Sequence, residues 1–568
     1  MRAHAVLVVA MCAAGAVLVS GVMGRHHKSP AAQGGTSGRR PGAKWSSATP
    51  IGNGLGLHAG PRRAATPETG ARWARHADLR PLGCAGFPRG RLVIGEEVGR
   101  TLGRRVLAAE PAQSLAVIGP TQSGKTTALA VPAILAWEGP VLAASVKTDL
   151  VRDTLDWRAR CGTVWCFDPA GTTGLPRDAW SPVSASSTWS RARRVAADLT
   201  EVARSDGTTA DGEFWYATAA KLLAPLLFAA ASAGRTMQDV VRWVDTQETE
   251  EVSGLLHAAG VPEALQAARA TWLRDERQRS AVYTTAETVL EPFAEPEMAH
   301  VPANAQDTPP YGISARGPAP WRTAAVGGGE IDPEAILRGK HTLYVCAPAH
   351  DQQRLRAVFA ALVGQVVHAA FAASARAGRP LDPPLLVVLD EAANIAPLKE
   401  LDGLAATCAG HGVQLVTVWQ DLAQVRARYG ERSATVVNNH RAKLFLPGIA
   451  DPATLDFASH LAGDQVLATP SVTHGARGER TVTTSPQVRR LLPPDTLRRL
   501  PRGDAVLLYG ALPPARVRLR PWYSEPALAA RGGRTGAGER LAPDVSGRRP
   551  GIGFHRRKAG GAGLQSGE

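Results

Sequence analysis

The chain has 568 residues, of which 44% are hydrophobic, 20% charged and 5% aromatic, with 58 Gly and 42 Pro. That composition excludes a collagen-like repeat, a disulfide scaffold and a wholly disordered chain, and it leaves room for more than one packed core. The formal charge is +15. Residues 25–80 hold ten Lys/Arg against two acids and residues 531–568 hold eight against three, so the stretch between them is close to neutral. The excess belongs to the ends and gives no reason to expect a basic, nucleic-acid-binding core. The six cysteines (Cys12, Cys84, Cys161, Cys166, Cys346 and Cys408) form no CxxC and have no His pair at zinc spacing. They read as isolated thiols in a reducing compartment.

In chain order, residues 5–24 come first, an uncharged apolar run. As a helix it spans roughly 30 Å, the thickness of a bilayer core. Arg25, His26, His27 and Lys28 follow at once, and no A-x-A site closes the run, which favours a retained anchor over a cleaved signal peptide. The expectation is one transmembrane anchor in 1–24, with the bulk of the chain in the cytoplasm. Residues 25–70 are Gly/Ser/Pro-rich and predict a flexible basic linker; 528–568 repeat that composition and predict a disordered basic tail.

Between these ends, short apolar runs at 91–96, 114–119, 140–145 and 163–168 predict strands. After a gap come 341–347, 385–391, 413–420, 442–448, 505–510 and 517–521. Continuous apolar strands separated by helical patterns predict a parallel sheet covered on both faces. The gap shows only helical periodicity, with Asp211 and Thr236 as caps and Gly234 and Gly260 as stops. The predicted organisation is a first part of a nucleotide-binding domain (71–186), an all-α insert with its connector (187–325), and a second part (326–527). The apolar runs near 222–232 and 358–374 are too short or too polar to span a bilayer and predict buried helices.

Gly119-Pro120-Thr121-Gln122-Ser123-Gly124-Lys125-Thr126 fits GxxxxGK[ST], after a strand and at the start of a helix that continues through Thr127. The glycines let backbone N–H groups close around phosphate oxygens, and the helix N-terminus adds positive potential. Lys125 would hold the β- and γ-phosphates of ATP, and the Thr126 hydroxyl would ligate Mg2+. The strand at 385–391 ends in Asp390 and Glu391. Paired with the P-loop, Asp390 is expected in the Mg2+ shell and Glu391 as the base that polarises the attacking water. Gln420 ends the next apolar strand and is expected to sense the γ-phosphate or orient the water.

These residues carry a resemblance. GPTQSGKTTALAVPAIL, Lys147-Thr148-Asp149, FDP at 167–169, WSP at 180–182, Phe214-Trp215, DEAANIAPLKEL, VTVWQDLAQVRARYG, NNHRAKLFLPGIADPATLDFASHLAG and the closing LRPWY are similar to motifs of the TraD/TraG family. This family comprises the coupling ATPases of type IV secretion and conjugation, and the match is to its actinobacterial form. The resemblance covers most of 71–525. It implies a RecA-like P-loop NTPase fold with an all-α insert, and a membrane-anchored homo-hexamer. Such a ring passes relaxase-bound DNA or a protein substrate to a secretion channel, and the insert helps select cargo. Many relatives have two N-terminal spans where this chain shows one. Many also carry an Arg upstream of the Gln, at the position of Ala409 here, so an arginine finger would come from elsewhere, with Arg441 the candidate. Two other readings are a septal-type double-stranded DNA translocase and a non-hydrolysing docking receptor. The first usually ends in a winged-helix reader that the Gly-rich tail does not suggest, and intact Lys125, Thr126, Asp390 and Glu391 argue against the second.

Overall fold

The computed structural model describes residues 70–98, 105–203, 210–294, 329–348, 351–395, 398, 400–474 and 480–532. The expected anchor, the linker before residue 70 and the chain beyond 532 lie outside the described residues. The strands, in chain order, are β1 Gly83–Cys84, β2 Val93–Glu97, β3 Val106–Ala108, β4 Leu115–Ile118, β5 Val141–Ser145, β6 Val164–Phe167 and β7 Thr342–Cys346, then β8 Leu385–Asp390, β9 Val413–Trp419, β10 Ala442–Phe445, β11 Asp464–His474, β12 Arg480–Arg490, β13 Asp504–Tyr509 and β14 Ala515–Arg518.

Twelve of them form one sheet in the order β1-β3-β2-β14-β13-β10-β4-β9-β8-β5-β7-β6. From β10 through β6 the neighbours run parallel. From β1 through β10 they run antiparallel. The fold is therefore mixed, which corrects the all-parallel expectation. The reason is visible in β14, whose residues alternate buried and exposed: an antiparallel flank can leave one face to solvent, whereas strands reached by helical crossovers are covered on both.

Two cores divide the pleat. Alternate residues of β4 and β5 (Leu115, Val117, Val141 and Ala143) face Leu129, Ile134 and Leu150 from the helices that follow the P-loop and β5. The intervening residues (Ala116, Ile118, Leu142 and Ala144) face Val358, Leu362 and Val366 of the helix Gln352–Ala377. Such a two-sided covering is what continuous apolar strands require.

The second core runs on into the region between β6 and β7. Among its described residues, 187–294 form six α-helices: Trp189–Ala203, Ala210–Ser232, Met237–Asp245, Glu250–Ala258, Pro262–Trp272 and Glu276–Leu290. No strand interrupts them among the described residues of this region. Trp189–Ala203 docks on Gln352–Ala377, Ala210–Ser232 packs along Trp189–Ala203, and the three helices of 237–272 are outermost. Thr236 and Asp239 form a reciprocal cap, and Gly234 and Gly260 adopt φ of +62° and +70°. Asp211 falls within the helix Ala210–Ser232 and not before it. Gly212–Ser232 and Arg354–Ala377 are long and apolar enough to cross a membrane, yet Leu222, Leu226, Leu227, Val358, Leu362 and Val366 are buried in the protein.

Two further features depart from the sequence reading. The first is a two-stranded ribbon, β11 and β12, pairing over eleven positions from Asp464↔Arg490 to His474↔Arg480. Val466, Val472, Val482 and Val488 share one of its faces and are exposed. The sequence hides it because Thr, Ser and Pro separate the valines. The second concerns the expected tail boundary at 528. The chain stays packed through Gly532: Leu528 is buried, and Arg531 lies over the Trp157 ring and donates to the Leu135 carbonyl at 3.0 Å.

Asp198, on Trp189–Ala203, has an Oδ2 atom with no hydrogen-bond partner. Burial pushes its carboxyl up from 3.8 to about 7, with Arg194 opposing and Glu400 adding to the rise. The folded state thus keeps a proton that the unfolded chain releases near pH 4. Stability from this site falls as pH rises from about 4 to 7, and the penalty is full above that. Asp198→Asn is therefore expected to raise the melting temperature at pH 8 and to change it little at pH 4.5, as read by thermal unfolding at the two pH values.

Candidate nucleotide site

The P-loop leaves the C-terminal end of β4 between two parallel neighbours. The Gly119 N–H donates to the Trp419 carbonyl at 3.1 Å on the β9 side, and the Leu446 N–H donates to the Ile118 carbonyl at 2.9 Å on the β10 side. A Cβ on Gly119 would stand 2.7 Å from the Leu446 Cβ, and Gly124 has φ +94°, so both glycines are required by space or conformation. Ser123 Oγ donates to the Pro120 carbonyl at 2.7 Å and closes the turn. The first turn of the helix Thr126–Ala136 is wide, with the Val131 N–H reaching back to the Thr126 carbonyl.

Sheet order brings the second motif alongside. β9 lies between β4 and β8, so Gln420, one residue past β9, is interposed between the P-loop and Asp390-Glu391 at the end of β8. Thr126 Oγ1 donates to Asp390 Oδ2 at 3.0 Å, joining residues 264 positions apart in the chain. Ser145 Oγ, at the end of β5, stands 3.5 Å from the same oxygen and accepts the Lys147 N–H at 3.2 Å. Ser145 was not singled out from the sequence; its position at the C-terminal end of the strand beside β8 was the available signal.

The site is electrostatically tight. Burial pushes the Asp390 carboxyl up, the Thr126 hydrogen bond pulls it down, and neighbouring Glu391 raises it again. Burial likewise lowers the Lys125 ammonium, against the pull of Asp390 and Glu391. Lys125 Nζ donates to the carbonyls of Gly119 and, at 2.8 Å, Pro120. Lys147 is exposed, and its charge is felt at both Lys125 and Asp390. Asp149 pairs instead with Arg152 at 3.0 Å.

Arg441 is not brought to this cluster. It precedes β10, whose first residue, Ala442, is in register with Leu115 at the start of β4. The P-loop leaves the other end of β4, four residues or about 13 Å away along the strand. There Arg441 binds Glu110 at 3.0 Å and lies over the Tyr509 ring.

A buried carboxylate, a threonine hydroxyl and a lysine at the mouth of a glycine-shaped loop define a P-loop nucleoside-triphosphate site. Residues 72–305 match a family model described as type IV secretory system conjugative DNA transfer, and residues 384–502 match one described as the TraM recognition site of TraD and TraG. Together these cover more than half of the chain, which belongs to the TraD/TraG family of type IV secretion coupling proteins. Conjugal transfer protein TraG of Escherichia coli is 25% identical over 526 residues, covering 81% of this chain and 77% of its own length. VirD4 of Agrobacterium fabrum is 22% identical, covering 81% and 66%. Among solved structures, the plasmid coupling protein TrwB in complex with a non-hydrolysable ATP analogue superposes with a TM-score of 0.57 at 17% identity, covering 81% of this chain and 96% of TrwB. TrwB with ADP and Mg2+ gives 0.53 at the same identity, covering 78% and 96%. The fold is that of the RecA-like coupling proteins.

The crowding at Gly119 yields a prediction. Gly119→Ala should cost about 1–3 kcal/mol through overpacking against Leu446 and abolish nucleotide-induced stabilisation. Melting temperatures with and without ATP analogue would show both effects.

Proposed function

We propose that this chain is a membrane-anchored ATPase that delivers DNA held by a relaxase, or a protein substrate, to a type IV secretion channel. The observation that carries the reading is the convergence of Lys125, Thr126, Asp390, Glu391 and Gln420 on the ends of β4, β8 and β9, in a chain of the coupling-protein family. Residues 5–24 supply the anchor and the six-helix region supplies the cargo-selecting surface. The working form is a homo-hexamer.

The residues fit ATP and Mg2+. Asp390 is a buried carboxylate whose hydroxyl neighbours, Thr126 and Ser145, are hard oxygen ligands or their supports, a donor set suited to Mg2+. Bound there by Thr126 and Asp390, Mg2+ would neutralise charge on the phosphates. Lys125 exchanges its two carbonyl partners for phosphate oxygens, the backbone N–H groups of 121–126 surround the β-phosphate, and Glu391 accepts the proton of the attacking water. Gln420, between the two motifs, holds that water in line. Lys147 faces the same phosphates from the end of β5.

Lys125→Ala should cut turnover at least ~10²-fold by removing a preorganised charge. Glu391→Gln should retain ATP without hydrolysing it. If each subunit depends on its neighbour, mixing Glu391→Gln chains into wild type depresses activity more steeply than their mole fraction. The measurement is ATPase rate against mutant fraction in membrane-reconstituted protein, and a straight-line decline would mean independent sites.

The layering of the insert predicts which part can be removed. Helices 237–272 touch the other helices of the insert and lie away from the sheet, whereas Trp189–Ala203 docks directly on Gln352–Ala377. Replacing 235–274 by a short linker should leave ATP-analogue affinity within about twofold while abolishing transfer. Transfer at the wild-type frequency would remove cargo selection from these helices.

A further inference from the structure

Glu391 stands in an uncommon conformation. Its φ is +73°, a left-handed value that few residues other than glycine adopt, at the junction where β8 ends and the short helix Ala392–Ile395 begins. That reversal is held from one residue in two places. The Asn394 main-chain N–H donates to the Glu391 carbonyl at 2.9 Å, and the Asn394 side-chain amide donates to Glu391 Oε2 at 3.3 Å. The Ile395 N–H reaches the same carbonyl at 3.2 Å, so the backbone turn has a second support that does not involve the Asn394 side chain. Both residues are half-buried, and Glu391 directly follows Asp390, whose carboxylate accepts the Thr126 hydroxyl.

We propose that Asn394 is a positioning residue for Glu391: its carboxamide fixes the carboxylate in the orientation from which it receives the proton of the attacking water. This rests on the ATPase reading above. In that reaction the water oxygen bonds to the γ-phosphorus, the bond from that phosphorus to the β–γ bridging oxygen breaks, and Glu391 takes the water proton. A carboxylate on a free side chain samples several rotamers, of which few point at the water. One charge-assisted hydrogen bond from a residue anchored by its own backbone narrows them to one. The amide is suited to this because it donates to the carboxylate without adding a charge beside Lys125 and Asp390.

The test uses full-length protein reconstituted in membranes, with steady-state kcat and KM for ATP in the presence of Mg2+. Asn394→Ala should lower kcat about tenfold, the loss of one hydrogen bond to a charged group. KM should change by less than about twofold, because the phosphate cradle is untouched. Asn394→Asp is nearly isosteric but repels the carboxylate, so it should lower kcat further than Asn394→Ala; a packing role predicts the opposite order. In a Glu391→Gln background, Asn394→Ala should change the residual rate by less than about twofold, since the group it positions no longer accepts a proton. Unchanged kcat in Asn394→Ala, wild-type activity in Asn394→Asp, or effects that multiply in the double variant would each overturn the proposal while leaving the ATPase reading intact. No hydrolysis by wild-type protein would overturn the ATPase reading, and this one with it.

Discussion

The contact from Thr126 to Asp390 is the point on which the architecture turns. β4, β9 and β8 are buried along their whole lengths, so a charged side chain is tolerated only where these strands end. Because the three run parallel, all their C-terminal ends lie on one edge, and the groups that emerge there meet. Asp390 emerges still buried and shares an oxygen with two hydroxyls, which leaves a carboxylate short of compensating charge beside a lysine that is itself desolvated. A polyanion with a divalent cation supplies the missing charges of both signs. The affinity of the site for its ligand is thus the counterpart of the cost of burying its residues.

The pleat distributes work between the two faces of the sheet. One face carries the P-loop helix and the helix after β5; the other carries Gln352–Ala377 and, stacked on it, the six-helix region. The Gln420 strand links the site to the second face: just past it, the Leu422 N–H donates to the Thr454 hydroxyl at 2.9 Å, and Tyr429 reaches the Leu398 carbonyl at 3.0 Å, beyond Asp390-Glu391 in the chain. The strand that ends at Gln420 and the helix that carries the insert therefore share one packed layer. Close-packed layers transmit small displacements instead of absorbing them.

The strands that form the middle of the sheet were legible because a buried strand has a simple signature, a short unbroken apolar run. The P-loop was legible because its geometry is enforced locally: Gly119 and Gly124 answer to contacts and torsions within a few residues of themselves. Asp390 and Glu391 were legible once the P-loop was found. The ribbon β11–β12 was not, since Thr, Ser, Pro and Gln interrupt it and leave no apolar run longer than three residues. In the antiparallel flank β2, β13 and β14 were legible as strands, whereas β1 and β3, only two and three residues long, were not, and neither was the antiparallel direction.

The sequence by itself determined the nucleotide-binding loop, the identity of the residues at its mouth, the helical character of 187–294 and the confinement of excess charge to the ends, because each depends on neighbours in the chain or on composition. Only the tertiary structure decided which of those residues meet. It set β9 between β4 and β8, putting Gln420 into the site and Ser145 at its side, and it sent Arg441 to the far end of the sheet, where Glu110 and Tyr509 engage it. Strand order and strand direction are settled by how layers pack across the whole domain, and no local pattern of residues encodes which end of a strand will face a ligand.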